Sequence, residues 1–155
     1  MSDSRGVYVI ENGGVIIATA ITIIQLKAGP NMGLELIRAK VSQGIDETSA
    51  MEVVQLLRKS AAATVTSRTA LKLNPGDPVA DAVGGTAATG ITGTAEGTDG
   101  DVLVQEGFNT LSGWEWVPTP SERIFVKVAG IIALKFPTAP ASKTWHAAFY
   151  FKEIG

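Results

Sequence analysis

The sequence contains no cysteine among its 155 residues. Disulfide frameworks, zinc–thiolate centres and thiol nucleophiles are therefore excluded. It contains one histidine, His146. A histidine-rich metal site cannot be built from a single imidazole, and this also argues against a cupin-like enzyme. No G-x-S-x-G motif accompanies His146 to complete a Ser-His-Asp triad. No charge of one sign accumulates. Thirteen Lys and Arg against fifteen Asp and Glu leave a formal charge of −2, and no run of like charges occurs. A nucleic-acid reader presents a basic patch or a basic balance, which is missing here. Long apolar runs are missing too. The most apolar stretch, Val15 to Leu26, is well short of the ~20 residues that span a bilayer. The start, MSDSRGVYVIENGG, lacks a basic region leading into an apolar one and a small-residue cleavage site. The expectation is a soluble chain with no membrane or nucleic-acid partner and no secretory signal.

What is present is a series of extended patterns. A chain of this length with 45% hydrophobic residues suits one compact domain. Thr19 to Ala28 is rich in isoleucine and threonine, which favour strands. Ile21 and Ile23 fall on one face and Ile24 and Leu26 on the other. Such a strand is covered on both sides, by a core and by something else, for which a neighbouring subunit is a candidate. After the Gly29-Pro30-Asn31 turn, Leu34 to Gln43 alternates as a half-buried strand, with Ile37, Ala39 and Val41 on one face. Ser49 to Ser60 fits two templates. Ser49 and Glu52 make a helix capping box, and Val53, Leu56 and Leu57 sit at helical spacing. Strand-like VVQ and strands on both flanks favour a strand. In Ala61 to Leu73, Val65, Leu71 and Leu73 are candidate anchors of a long crossing segment. NPGDP, Asn74 to Pro78, is turn chemistry.

ERIFVKVAGIIALKF is the clearest strand. Ile124, Val126 and Val128 share a face that Ile132, Leu134 and Phe136 continue, and Gly130 reads as a bulge or kink. In TWHAAFYFKEIG, Trp145, Ala147, Phe149 and Phe151 lie together, with His146 out of phase. Turn signals separate six to eight strands and no long helix is expected. The predicted class is all-β: a single β-sandwich, jelly-roll-like, over residues 15–155, preceded by an N-terminal arm, Met1 to Gly14.

The Gly/Thr-rich stretch VGGTAATGITGTAEGTDGD, Val83 to Asp101, is not a phosphate loop. It has no lysine or arginine, and no helix start follows. Glu96, Asp99 and Asp101 could offer oxygens to calcium, but they read as solvated turn formers. The stretch reads as a long excursion on an exposed or inter-subunit surface. Glu115 and Glu122 are not placed as a general acid and base. Trp114 and Trp116 lie on one strand face. They suit either the core or an interface or sugar-stacking platform. With Ile91 and Tyr8 they are the candidate interface residues. No catalytic, cofactor-binding or metal-binding residue is expected.

Taken in order, several segments resemble the head decoration (cement) proteins of tailed bacteriophages, of β-sandwich or jelly-roll type. They are AITIIQLKA, LELIRAKVSQ, VVQLLRKS, NPGDPVADA, GFNTLSGWEWVP, ERIFVKVAGIIALKF and the closing FYFKEIG. The resemblance covers about Ala18 to Gly155 and is one of style, without a functional motif. It implies a structural virion protein, not an enzyme, that bridges major capsid protein subunits. The expected form is a homo-oligomer, a trimer, made in the host cytoplasm and placed on the capsid surface. The alternative is a carbohydrate- or receptor-binding module of a tail tip or fibre.

Overall fold

Runs of β-branched and aromatic residues favour extended backbone, and alternation decides which face each strand buries. The computed structural model describes residues 4–44, 49–86 and 96–155. Their strands are β1 (Ser4–Glu11), β2 (Val15–Ile17), β3 (Thr22–Lys27), β4 (Gly33–Gln43), β5 (Met51–Ala61), β6 (Thr66–Arg68), β7 (Leu71–Lys72), β8 (Val83–Thr86), β9 (Thr98–Asn109), β10 (Trp114–Trp116), β11 (Ile124–Val126), β12 (Ile131–Lys135) and β13 (Lys143–Ile154). A 3-10 turn, Pro120–Glu122, lies between β10 and β11. The strands form two antiparallel sheets packed as a sandwich, as the all-β reading anticipates. Sheet A runs β10-β4-β13-β1-β7, with β11 also on β4 and β2 also on β13. Sheet B runs β6-β8-β3-β12-β5-β9.

The core lies between the sheets. β13 sends Trp145, Ala147, Phe149 and Phe151 inward, all buried. Trp145 meets Phe136 edge-on at 4.9 Å and Phe108 at 6.2 Å, and Tyr8 stacks on Phe151 at 5.6 Å. Sheet B answers with Ile24, Leu26, Leu56, Ile132 and Leu134. Burying each such side chain contributes roughly 1.5–3 kcal/mol.

Sheet B is buried on its outer face as well. Gln25, Leu57, Lys59 and Ala133 are all covered there. The cover is the chain itself. Beyond β5 the backbone crosses the sheet, and the Gln25 carboxamide accepts the Ala63 N–H at 2.8 Å. The Glu96 carboxylate accepts the Thr22 N–H at 2.9 and 3.0 Å and the Thr22 hydroxyl. Lys59 donates to the Glu96 carbonyl at 2.9 Å and to Asp99 at 2.6 Å, and Lys135 reaches the other Asp99 oxygen at 2.6 Å. The two-faced apolarity of Thr19 to Ala28 is thus met without a neighbouring subunit. It also explains the ambiguity of β5. Leu56 faces the core and Leu57 the covered outer face, so its apolar residues do not alternate. The acids of the Gly/Thr-rich stretch are not all solvated turn formers, because Glu96 is buried and Asp99 is held by two lysines. Gly97 lets the backbone pass. Its φ is +72°, and a Cβ there would lie 2.2 Å from the Ala61 carbonyl oxygen.

Other expectations are corrected by pairing. The segment read as an arm is largely β1, hydrogen-bonded along β13 from Ser4–Ile154 to Glu11–Ala148. Its Tyr8 and Ile10 alternate into the core. Asn12 closes the strand. Its amide donates to the Trp145 carbonyl at 3.1 Å and its oxygen accepts the Ala147 N–H at 3.1 Å. Gly130 is a corner between sheets and not a kink in one strand. β11 pairs β4 in sheet A, while β12 sits inside sheet B. Gly130 N–H closes the turn on the Lys127 carbonyl at 2.8 Å, and Val128 is left exposed. Leu71 and Leu73 are also exposed; Ala63, Ala70 and Ala82 are the buried residues around the crossing.

Two results are expected. Gly97→Ala forces an L-residue into the left-handed region, roughly 1–2 kcal/mol, and adds the carbonyl clash. The urea midpoint should fall with the slope unchanged. The second concerns pH. Burial pushes the Asp99 carboxyl up, but hydrogen bonds from Lys135 and Lys59 and their charges outweigh it, leaving it below the usual range. Asp81 is held down first by the Asn31 backbone N–H. A carboxylate lowered in the native state adds stability above the unfolded pKa of ~3.9, lost as pH falls through the native value. Urea titrations should show a steep acid limb below about pH 4, shallower in Asp99→Asn.

Candidate functional site

Residues two apart on a strand share a face, so Trp114 and Trp116 point the same way on β10. Register places Trp114 beside Val41 and Trp116 beside Ala39, both inward-facing residues of β4. Trp114 is 6% exposed, and its indole N–H reaches Glu106 on β9 at 3.3 Å. Trp116 is half-buried and packs against the core. The pair closes the sandwich where β10 meets β4 and does not project as a platform. Tyr8 is fully buried and donates its hydroxyl to the Pro78 carbonyl at 2.9 Å. Burial pushes its pKa up, and the Glu153 charge adds to this. Tyr8 and Trp114 are therefore inaccessible to a partner in this fold. Ile91 lies outside the described residues.

The surfaces that are accessible come from other positions. On the outer face of sheet A, register aligns Arg38, Lys40 and Ser42 of β4 with Tyr150, Ala148 and His146 of β13. Glu11 of β1 pairs with Ala148 from the other side. Alanine is short and its neighbours are long, so a recess of about 370 Å³ opens above it, lined by Lys40, Ser42, His146, Tyr150 and Glu11. Gly14 and Gly44 flank His146; a Cβ at Gly14 would lie 2.7 Å from the imidazole. Arg38 and Lys40 sit over the Tyr150 ring at 5.2 and 5.6 Å, so that ring face is taken. Arg38 also pairs with Glu115, and Glu11 with Arg68. The recess offers an ammonium, an imidazole and a hydroxyl to a small polar or anionic molecule. Sequence reading found His146 on the outward face but not the recess, because the recess depends on three strands meeting in register.

Apolar surface collects elsewhere. Val79 and Val83, both exposed, line a groove of about 260 Å³ with Ala70, Ala80 and Ala82. Leu71 and Leu73 are exposed as well. Phe125 lines a second groove with Arg58, Lys127 and Ile131. Among the described residues, no group of His, Asp and Glu side chains is placed to hold a metal ion, and no helix is long and apolar enough to cross a membrane.

Comparison with protein families, with characterised proteins and with solved structures found no match for this chain.

The burial of Trp114 has a measurable consequence. Trp114→Ala should cost about 3–5 kcal/mol in urea unfolding, as other buried tryptophan truncations do. Trp116→Ala should cost less. A near-neutral Trp114→Ala would show that the indole is not part of the core.

Proposed function

We propose that this chain is a structural virion protein of a tailed bacteriophage, a head decoration protein that stabilises the capsid by bridging major capsid protein subunits. In this reading it acts as a homotrimer with a jelly-roll-like strand arrangement and needs no cofactor. It is made in the host cytoplasm and ends on the capsid surface. The resemblance in segment order motivates the reading. The observation that carries it is the pair of large exposed apolar side chains, Val79 and Val83, that line one groove with Ala70, Ala80 and Ala82. Single exposed hydrophobics are ordinary, but contiguous ones mark association surfaces.

The test adds the purified protein to DNA-free capsids. Saturable binding that raises the capsid melting temperature is expected. Val79→Asp combined with Val83→Asp should weaken binding at least tenfold while the free protein keeps its own unfolding midpoint. Failure to bind any capsid sinks the reading, and sedimentation equilibrium tests the trimer.

A second reading, a carbohydrate- or receptor-binding module of a tail tip or fibre, draws on the recess beside Tyr150 and His146. Trp114 is no support for it, being buried. Glycan-array binding that Lys40→Ala and His146→Ala abolish would favour it over the first.

A further inference from the structure

Among the described residues the sandwich has four lateral edges, and they are unequal. Sheet A ends in β10 and β11 on one side, three residues each, and in the two-residue β7 on the other. Sheet B ends in the three-residue β6 at one side. Short edge strands are a standard protection against unwanted pairing. The fourth edge is β9, twelve residues long, Thr98–Asn109. From Asp99 to Phe108 its backbone pairs with β5 alone among the described residues. The outward N–H and C=O groups of this strand extend for about 40 Å at the usual strand rise.

The strand also carries a chemical signature. Between Thr98 and Asn109 there are three acids, Asp99, Asp101 and Glu106, and no lysine or arginine. Asp99 is neutralised by Lys59 and Lys135. Asp101 and Glu106 form no ion pair among the described residues. Val102 and Leu103, between them, are both exposed. Lysine is the usual guard of an open edge; this edge has the opposite sign. Pairing with β5 is regular from Val104 to Asn109 and shifts register repeatedly towards Thr98. Bulges add local twist, so an added strand takes its register from the regular half and reaches Asp101 along the twisted one.

We infer that the outer edge of β9 is a docking strand for an extended segment of another protein, one that alternates lysine or arginine with β-branched residues and adds as a further strand to sheet B. Main-chain hydrogen bonds supply affinity in such strand addition and side-chain pockets supply selectivity. The occupant is basic because charge decides between the candidates. A second copy of this chain would set β9 against β9 and crowd two sets of unbalanced carboxylates on adjacent strands, where facing like charges are destabilising. A basic strand pairs Asp101 and Glu106 instead. The inference rests on the edge and its charge and does not require the capsid reading.

The test pans a random twelve-residue displayed-peptide library against the full chain at low salt. The enriched peptides should be rich in lysine or arginine alternating with valine, isoleucine or threonine. Synthetic versions should slow amide hydrogen exchange in residues 98–109 and bind at least tenfold more weakly to Asp101→Lys. Glu106→Lys, if it folds, should do the same. Asp101→Lys should keep the parent's urea midpoint, so weaker binding reports docking and not unfolding. No enrichment, enrichment without basic bias, protection outside residues 98–109, or indifference to Asp101→Lys would each overturn the proposal. So would a concentration-dependent dimer that itself protects residues 98–109, since the occupant would then be a second copy.

Discussion

The inward face of β13 is the constraint on which the sandwich depends. One strand supplies Trp145, Phe149 and Phe151 to the inter-sheet core. The same strand pairs with β4 on one side and with β1 and β2 on the other. Its near end is closed by Asn12 bonding on both sides of His146. Its far end carries Glu153, a buried carboxylate that accepts the Asp81 and Ala82 N–H groups at 2.7 Å. That bond ties the loop before β8 to sheet A. Because side chains alternate, the face that fills the core also fixes what appears outside: His146, Ala148 and Tyr150 reach the outer surface at every second step.

Sheet B solves a different problem. Both of its faces are apolar enough to need cover, and only one meets the other sheet. The crossing chain and the Glu96–Lys59–Asp99–Lys135 cluster supply the second cover. A buried lysine is costly unless its partners are held in place. Here Gly97 and the Thr22 N–H hold them. The cluster therefore fixes the start of β9, and its position on the outer side of β5 follows from it.

Much of the fold was legible because period-two alternation is a local signal. TWHAAFYFKEIG shows which residues go inward before any partner is known; LELIRAKVSQ does so only for Ala39 and Val41, because a register shift against β13 turns Leu34 and Leu36 inward and leaves Ile37 out of the core. The errors share one cause, that alternation says which residues share a face but not what covers it. Trp114 and Trp116 were recognised as a pair, yet only the register against Val41 and Ala39 reveals that they face inward. Tyr8 belongs to the segment read as an arm, and only its pairing with β13 shows that it is a strand with Tyr8 and Ile10 facing the core. The break at Gly130 is legible, but whether it is a bulge or a passage between sheets depends on distant strands. Glu96 reads as a solvated turn former, since nothing near it in the sequence shows Lys59. The recess above Ala148 is a gap between three strands, and no one of them shows it.

The pairing of Ser4 with Ile154 sets these two residues side by side at one end of the same ladder. Tension applied between them would act across the β1–β13 pairs in sequence, opening each before the next is loaded. The molecule is therefore a zipper when pulled through those positions, and it resists only as strongly as one pair at a time. A load entering along β9 and leaving through β5 would instead meet many bonds at once, in shear. Mechanically the sandwich is directional: weak across the β1–β13 seam and stiff along its longest edge.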